Sequence, residues 1–342
     1  MASVNAVGLA KTDYRGAPTT LCAGCGHNSI ANQIIAMAYE LDLVPEDLIK
    51  FSGIGCSSKS PTYFLGRTFG FNSLHGRMPA VATGAMFGDH TLRGIAVSGD
   101  GDTSNIGMGQ FKHIMRRNLP MVYIVENNGV YGLTKGQFSA TAEVGLKLKS
   151  QGVNHYMPVD IVMEALASNA TFVARSFAGD ANQVKDLIKA ALSHNGTAVL
   201  DIISPCVTFN DRDESHHSYS WSRQHREMLH DMNYIPITEE ITIEEEIGEG
   251  ESRQVILHDG SQIVLKKLER DYDPTDRIEA IQTVQKANKE GILLTGLIYV
   301  NTEAPSLFDI YELSDTRVLN RLTEKDLRPS KESLEKINAM MF

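Results

Sequence analysis

The sequence predicts an α/β fold, with a doubly wound, mostly parallel β-sheet, helices on both faces, and a C-terminal extension containing a β-hairpin. The main observation is that segments of helical periodicity separate five apolar runs of strand length, at residues 49–53, 95–97, 121–125, 171–175 and 198–203. A second observation concerns residues 240–266, which alternate in polarity and turn at His258, Asp259 and Gly260, as a hairpin does.

The helices are predicted from caps and buried faces. Asn28 or Ser29 is expected to cap the first helix, which buries Ile30, Ile34, Ile35, Ala38 and Leu41. Pro79 fits the first turn of a helix that reaches Phe87. Three more helices and a last strand are expected at residues 161–168, 181–194, 277–289 and 292–300. Residues 1–20 lack periodicity and predict an extended arm.

Composition limits the possible partners. The chain has 342 residues, 42% of them apolar, which is enough for a large core. Its net charge of −10 argues against nucleic acid. No apolar run reaches the roughly 18 to 20 residues of a membrane span, and the N-terminus lacks a signal-peptide pattern, so we expect a cytoplasmic protein with no membrane partner. The acidic stretch from Glu239 to Glu251 is interpreted as a solvated hairpin.

Residues 94–133 carry the densest signal for a binding site. Asp100 follows the strand at 95–97, and Asn128 follows the strand at 121–125. Ligands of doubly wound sheets bind at the carboxyl ends of such strands. Mg²⁺ binds about six oxygens, and a carboxylate, an amide, a backbone carbonyl near Val130 and phosphate oxygens supply most of them. Between these ends, Thr103 and Ser104 are expected to cap a helix whose apolar residues are Ile106, Met108, Phe111, Ile114 and Met115.

The order of these residues resembles the GDG…NN motif of thiamine-diphosphate enzymes. Asp100 and Asn128 lie 28 positions apart, with a predicted helix and strand between them. The alternative is an ordinary βαβ unit with a glycine turn and an Asn-Gly turn. The motif is favoured because every position is filled in order.

Four cysteines stand at predicted turns or strand ends. Cys22 and Cys25 form a CxxC, whereas Cys56 and Cys206 each follow a strand. Four thiolates suit structural zinc or a [4Fe–4S] cluster. Zinc usually shows two close pairs, and a redox CxxC would not explain Cys56 and Cys206. Spacing alone favours a cluster slightly, and unrelated buried cysteines stay possible.

Six motifs together resemble the β-subunit of 2-oxoacid:ferredoxin oxidoreductases, and most of all the 2-oxoglutarate type. They are CAGCGH, GIGCSSK, LHGRMPAVATG, GDGDTSNIG, ENNGVYGLTKGQ and SPCVTFN, within residues 21–210. The resemblance implies a thiamine-diphosphate-binding α/β domain of the diphosphate-half type at residues 1–210. It implies that residues 211–342 are an extension for subunit packing.

The resemblance also implies the ligands of each cofactor. A [4Fe–4S] cluster would be bound by Cys22, Cys25, Cys56 and Cys206. Mg²⁺ would be bound by Asp100, Asn128 and the carbonyl of Val130. Thiamine diphosphate would contact Ile54, Gly55, Cys56, Ser57, Gly101, Asp102, Asn128, Gly132 and Leu133. His75 would lie near the cofactor and the substrate, with a catalytic role.

The implied reaction oxidises 2-oxoglutarate with coenzyme A to succinyl-CoA and CO₂, and passes electrons through the cluster to ferredoxin. One GDG…NN motif supplies only the diphosphate half of the site, so an α-subunit would supply the pyrimidine half, in a heterodimer or a dimer of heterodimers. The alternatives are pyruvate or broad 2-oxoacid specificity, a thiamine-dependent decarboxylase or synthase subunit without redox chemistry, and a non-catalytic subunit that binds zinc.

Two further features concern polar residues. Lys59 follows the third cysteine by three positions and is either a surface lysine or a cation that pairs with the distal carboxylate of 2-oxoglutarate. The second reading makes it a catalytic-site residue and predicts a preference for 2-oxoglutarate. His216, His217, Trp221 and His225 form a histidine-rich stretch, for which a packed segment is favoured over a metal site.

Overall fold

Strands and helices alternate along the chain. A computed structural model describes residues 3–237, 252–267, 272–314 and 317–341. The strands are β1 Leu48–Ser52, β2 Phe69–Asn72, β3 Arg93–Gly99, β4 Met121–Asn127, β5 Val130–Tyr131, β6 Gln137–Phe138, β7 Lys147–Leu148, β8 Gly152–Val153, β9 Phe172–Phe177, β10 Thr197–Ile203, β11 Arg226–Met228, β12 His230–Ile235, β13 Ser252–Ile256, β14 Gln262–Lys267 and β15 Leu293–Val300. The helices are α1 Gly26–Glu40, α2 Met78–Gly88, α3 Met108–Arg117, α4 Ile161–Ala167, α5 Ala181–Ser193, α6 Tyr219–His225, α7 Arg277–Glu290, α8 Leu307–Ile310, α9 Glu324–Leu327 and α10 Lys331–Met341.

The main sheet has eight strands in the order β2-β1-β3-β4-β10-β9-β15-β11. All neighbouring pairs are parallel except β9 and β15. Parallel neighbours need crossover connections, and helices supply most of them. Helices α1 and α5 cover one face, whereas α2, α3, α4 and α7 cover the other. The predicted fold class is therefore confirmed, and strands β1, β3, β4 and β10 end at one common edge.

The segment after β3 differs from its prediction. A π-helical turn at Asp102–Ile106 precedes α3, and Ile106 is 48% exposed. The Ser104 hydroxyl donates to the Asp100 carbonyl (2.5 Å), and the Thr103 hydroxyl bonds the Tyr123 hydroxyl (3.1 Å). Neither side chain caps a helix, because each hydroxyl has another hydrogen-bond partner.

The first helix begins earlier than predicted, with Cys25 at its N-cap position. The expected cap residues are already inside it. Ser29 donates to the carbonyl of Ala178 (2.7 Å), and Asn28 donates to the carbonyl of Cys22 (3.1 Å). The predicted arm before this helix contains a short 3₁₀ turn, Lys11–Tyr14, and Tyr14 is fully buried. Its hydroxyl donates to the carbonyl of Leu43 (2.6 Å), so the arm is anchored to the core.

The extension contributes to the main sheet and also forms its own small sheet. Strands β11 and β15 belong to the main sheet, so that sheet continues beyond residue 210. Strands β12, β14 and β13 form an antiparallel sheet. Strands β13 and β14 are the described part of the predicted hairpin. The acidic stretch Glu239–Glu251 lies outside the residues that the structure describes. Within the described ranges, no helix is long and apolar enough to cross a membrane.

Candidate active site

The carboxyl ends of β1, β3 and β4 border one cavity. Every residue predicted to contact thiamine diphosphate lines it, together with Asp100 and Val130; the set is Ile54, Gly55, Cys56, Ser57, His75, Gly101, Asp102, Asn128, Gly132 and Leu133. The chain also places His27, Glu126 and Tyr131 there, which sequence reasoning did not assign. Parallel register explains the convergence, because β3 pairs Gly99 with Glu126 of β4. Lys59 is outside this lining, in a 3₁₀ turn that starts at Ser57.

A glycine allows β1 and β3 to approach at the cavity. A Cβ on Gly53 would lie 1.8 Å from Asp102 Oδ2, so any larger residue would displace that carboxylate. Asp102 is buried and accepts from Ser98 Oγ (2.8 Å) and the Gly76 amide (2.9 Å). Its Oδ1 lies 2.5 Å from Nδ1 of His75, whose side chain is 40% exposed. The contact orients the His75 ring and leaves Nε2 as the nitrogen available to a bound molecule.

Asp100 and Asn128 are neighbours in the cavity lining. Asp100 is 1% exposed and accepts from the amide of Gly129 (3.0 Å). The side-chain oxygen of Asn128 accepts from the amide of Val130 (3.0 Å). A buried carboxylate beside an amide oxygen and a peptide turn is a donor set that suits Mg²⁺. These residues therefore fit the ion that the motif implies.

The four cysteines share one neighbourhood beside this cavity. The sulfurs of Cys56 and Cys206 both lie within 3.6 Å of the point where a Cβ on Gly132 would stand, so they are at most about 7 Å apart. Burial, together with smaller contributions from nearby Glu126, Cys206 and Cys56, raises the pKa of Cys25 to about 12. The Thr208 hydroxyl lies 3.3 Å from the sulfur of Cys22, which is exposed. All four are free thiols, so the donor set suits a [4Fe–4S] cluster.

The four cysteine sulfurs do not surround a common point as the ligands of a bound metal would. Among the residues that the structure describes, no three His, Cys, Asp or Glu side chains stand in metal-binding geometry. Burial raises the pKa of Cys206, whereas the nearby backbone amides of Phe209, Thr208 and Asn210 act to lower it. Amide donors to a thiolate are also what tunes cluster potentials.

A buried polar cluster that the motifs did not reveal lies between the cavity and the cysteines. Nδ1 of His27 lies 2.5 Å from Ser204 Oγ and 3.4 Å from Oε2 of Glu126. Ser60 donates to Glu126, which is completely buried. Burial lowers the pKa of His27 to about 4, so its ring is neutral near pH 7. Burial also raises the pKa of Glu126 well above its usual range. The signal in the sequence that could have revealed this cluster is Glu126, a glutamate near the end of an otherwise apolar strand.

The histidine-rich stretch packs against itself and against a loop. The Trp221 ring stacks on His216 and on His225, with 4.3 Å between centroids in each pair. His217 is buried, and its Nδ1 lies 3.2 Å from Oε2 of Glu143. These contacts are those of a packed segment, the favoured interpretation of the sequence.

The parallel sheet, the GDG turn and the paired Asp100 and Asn128 define the diphosphate-binding half of a thiamine-dependent enzyme. Residues 53–202 match the family model of the C-terminal TPP-binding domain of thiamine pyrophosphate enzymes. Among curated relatives, 2-oxoglutarate oxidoreductase subunit KorB of Mycobacterium tuberculosis is 42% identical over 56% of this chain and 51% of its own length. The 2-oxoglutarate synthase subunit KorB of Methanocaldococcus jannaschii is 35% identical over 57% of this chain and 72% of its own length.

A solved structure aligns with nearly the whole chain. It is 2-oxoglutarate:ferredoxin oxidoreductase from Magnetococcus marinus with 2-oxoglutarate, coenzyme A and succinyl-CoA bound, at 28% identity and a TM-score of 0.74, covering 99% of both chains. The chain therefore belongs to the β-subunit family of 2-oxoacid:ferredoxin oxidoreductases. The match spans about half to three fifths of the length of the first relatives, between 51% and 63%.

Proposed function

We propose that this chain is the β-subunit of a 2-oxoglutarate:ferredoxin oxidoreductase. The reaction converts 2-oxoglutarate, coenzyme A and two oxidised ferredoxins into succinyl-CoA, CO₂, two reduced ferredoxins and one proton, and it can run in either direction. One observation carries the proposal: Cys56 lines the cofactor cavity and also lies within about 7 Å of Cys206. A cluster bound by these cysteines would therefore lie close enough to the cavity to accept electrons from it. We assign the enzyme to the cytoplasm.

Three groups would be bound by this chain. Thiamine diphosphate would occupy the cavity, with Mg²⁺ on Asp100, Asn128 and the Val130 carbonyl. Cys22, Cys25, Cys56 and Cys206 would bind a [4Fe–4S] cluster. When bound, thiamine diphosphate stabilises the carbanion formed as a 2-oxoacid loses CO₂, and the cluster carries single electrons.

The side chains of this subunit would bind and orient the cofactor and the substrate. Asp102 fixes the ring of His75, whose free Nε2 can donate to or accept from a substrate at the cavity mouth. The neutral ring of His27 fills part of the cavity wall, and burial disfavours the charged form of Glu126 beside it. Buried side chains around them exclude water, which strengthens every electrostatic contact inside.

An α-subunit would complete the site. The cavity among the described residues is of the diphosphate-binding type, and the pyrimidine half would come from a partner, in a heterodimer or a dimer of heterodimers. We assign subunit packing to the extension, whose helix α10 is exposed over its whole length and carries exposed Leu334, Ile337 and Met340. Its exposed apolar residues would be covered by a partner subunit.

Lys59 is the residue that we connect to substrate choice. It is half-buried, and its charge acts on the thiol of Cys56, so it stands close to the cavity. A cation there would pair with the distal carboxylate of 2-oxoglutarate, which pyruvate lacks. A charge-assisted hydrogen bond contributes roughly 1.5–3 kcal/mol, or about 10- to 150-fold in kcat/KM.

The test is an anaerobic assay of the αβ complex that follows CO₂ release and viologen reduction with several 2-oxoacids. We expect 2-oxoglutarate to be preferred, and Lys59→Met to reduce its turnover far more than that of pyruvate or 2-oxobutyrate. An equal loss on all three substrates would refute the specificity role. Robust turnover by the isolated chain would refute the need for an α-subunit.

The same preparation distinguishes the rival functions. Thiamine diphosphate without iron or acid-labile sulfide would indicate a decarboxylase or synthase subunit without redox chemistry. Zinc without thiamine diphosphate would indicate a non-catalytic subunit. Comparable rates with pyruvate would indicate a broad 2-oxoacid enzyme.

A further inference from the structure

The two carboxylate oxygens of Asp100 have very different surroundings. Oδ2 accepts from the Gly129 amide (3.0 Å), from the Thr141 hydroxyl (2.7 Å) and from the Ser139 hydroxyl. Within the described part of the chain, Oδ1 has one hydrogen bond, a long one from the Asn128 amide (3.4 Å). One oxygen is therefore saturated by donors, and the other is open toward the cavity.

The two hydroxyls come from a loop that lies outside the GDG…NN motif. This loop follows β6 and is held in place by its own backbone. The Ser139 amide donates to the Gly129 carbonyl (3.0 Å), and the Ala140 amide donates to Oδ1 of Asn105 (2.7 Å). Ser139 and Thr141 are each 5% exposed. The hydroxyls are thus fixed, buried donors rather than mobile surface groups.

A second contact links Thr141 to the first asparagine of the motif. The Thr141 hydroxyl has Oδ1 of Asn127 as another acceptor, at 2.9 Å. Asn127 in turn donates to Oδ1 of Asp201 (3.0 Å), and Arg175 donates to Oδ2 of Asp201 (2.9 Å). Asn127 therefore points away from the cavity, into a buried network that supports Thr141.

We propose that Ser139 and Thr141 are positioning residues, which hold the Asp100 carboxylate with Oδ1 turned toward the divalent cation. The inference rests on the proposed function, because it assumes that Asp100 binds the cation that carries the diphosphate. Groups that orient a ligand commonly change metal affinity by 10- to 100-fold when they are removed. A carboxylate free to rotate would also lose the donors that compensate for its burial.

The test measures cofactor binding to the αβ complex after Mg²⁺ and thiamine diphosphate have been removed. Thiamine diphosphate is titrated by calorimetry at a series of Mg²⁺ concentrations. For Thr141→Val we expect the Mg²⁺ concentration at half-maximal binding to rise about 10- to 100-fold. Thr141→Ser keeps the hydroxyl and should stay within about threefold of the wild type. Ser139→Ala is a smaller change, and it provides a second test if Thr141→Val does not fold. It should also raise the Mg²⁺ concentration at half-maximal binding.

Thr197→Val is the matched control, because Thr197 is fully buried and donates to the Leu119 carbonyl (2.8 Å), away from the cavity. It should leave the Mg²⁺ requirement unchanged, and iron content should be the same in all four variants. A wild-type Mg²⁺ requirement in both Thr141→Val and Ser139→Ala would overturn the positioning role alone. Thiamine diphosphate binding by the wild type without any divalent cation would instead overturn the cation site itself.

Discussion

The buried pair of Glu143 and His217 supports a quantitative prediction about stability. Oε2 of Glu143 lies 3.2 Å from Nδ1 of His217, and the two side chains are 9% and 6% exposed. Burial acts to raise the pKa of Glu143, but the hydrogen bond and charge of His217 lower it to about 2. Burial acts to lower the pKa of His217, but Glu143 raises it above 6.5. In the folded chain, each of these two groups therefore stabilises the charged form of the other.

The size of the effect follows from the carboxylate. A pKa that falls from 4.5 to about 2 on folding corresponds to about 3 kcal/mol at 1.36 kcal/mol per pKa unit. An unfolding entropy of about 2.1 cal/mol/K per residue makes 1 kcal/mol worth about 1.4 °C in Tm for a chain of this length. We therefore expect Glu143→Gln, which removes the charge but keeps the shape, to lower Tm by about 4 °C.

The pH dependence has a definite sign. The contribution of Glu143 is complete above pH 4.5 and is lost as the pH falls toward 2. The contribution of His217 is complete below pH 6.5 and is lost as the pH rises through its raised pKa in the folded chain. The pair is therefore fully charged between these limits, and Glu143→Gln should cost most near pH 6 and clearly less near pH 9.

The assay is thermal unfolding of wild type and Glu143→Gln at pH 6 and pH 9. Glu46→Gln serves as control, because Glu46 pairs with Arg67 at the surface, where the two side chains are 44% and 53% exposed. An exposed pair contributes at most about 1 kcal/mol, so its removal should have little effect at either pH. Equal losses of Tm at both pH values in Glu143→Gln would show that the carboxylate acts through packing alone, and would refute the reasoning.

Three further predictions concern the cofactors and the core. Cys206→Ala should lose or degrade the cluster, and an unchanged iron-to-sulfide ratio with an unchanged reduced-state EPR signal would contradict the shared site. Asp100→Ala should weaken Mg²⁺ and thiamine diphosphate binding together, and more than Asn128→Ala, because it removes a charged ligand; full cofactor retention at limiting Mg²⁺ would contradict this. Arg175→Met should destabilise the chain by about 3–5 kcal/mol, because it leaves the buried Asp201 and the half-buried Asp160 without their cation. Urea unfolding measures that loss, and a change below about 1 kcal/mol would count against it.

Much of the scaffold could be predicted from local pattern. A strand buried on both faces is a continuous apolar run, and β4 and β10 are such runs, with every residue buried. Because parallel strands end at one edge, residues that follow those runs had to converge, and the cavity lining contains every residue predicted to contact thiamine diphosphate. The prediction of the fold class succeeded because one-dimensional periodicity decides it.

Features decided by distant contacts could not be predicted. Strand β2 is exposed along its whole length, so no buried pattern marks it. Thr103 and Ser104 were assigned as caps because their residue type favours that role, but the fold offers them other partners. The contact between Thr141 and Asp100 joins residues 41 positions apart in irregular backbone, where no periodic signal exists.

The loop that carries Cys206 also holds the cofactor turn, and this makes the two sites interdependent. The amide of Asn210 donates to the Cys206 carbonyl (2.8 Å), while its side chain donates to the carbonyl of Asn128 (2.9 Å). Gly129, at φ +73°, leaves no room for a Cβ, which would lie 2.9 Å from both Asn210 Nδ2 and His217 Nδ1. Cys206, the proposed cluster ligand, and Asn128, the proposed cation ligand, are thus both held by Asn210. Loss of the cluster should therefore loosen the Asn128 turn, so Cys206→Ala should weaken thiamine diphosphate binding although Cys206 does not line the cavity.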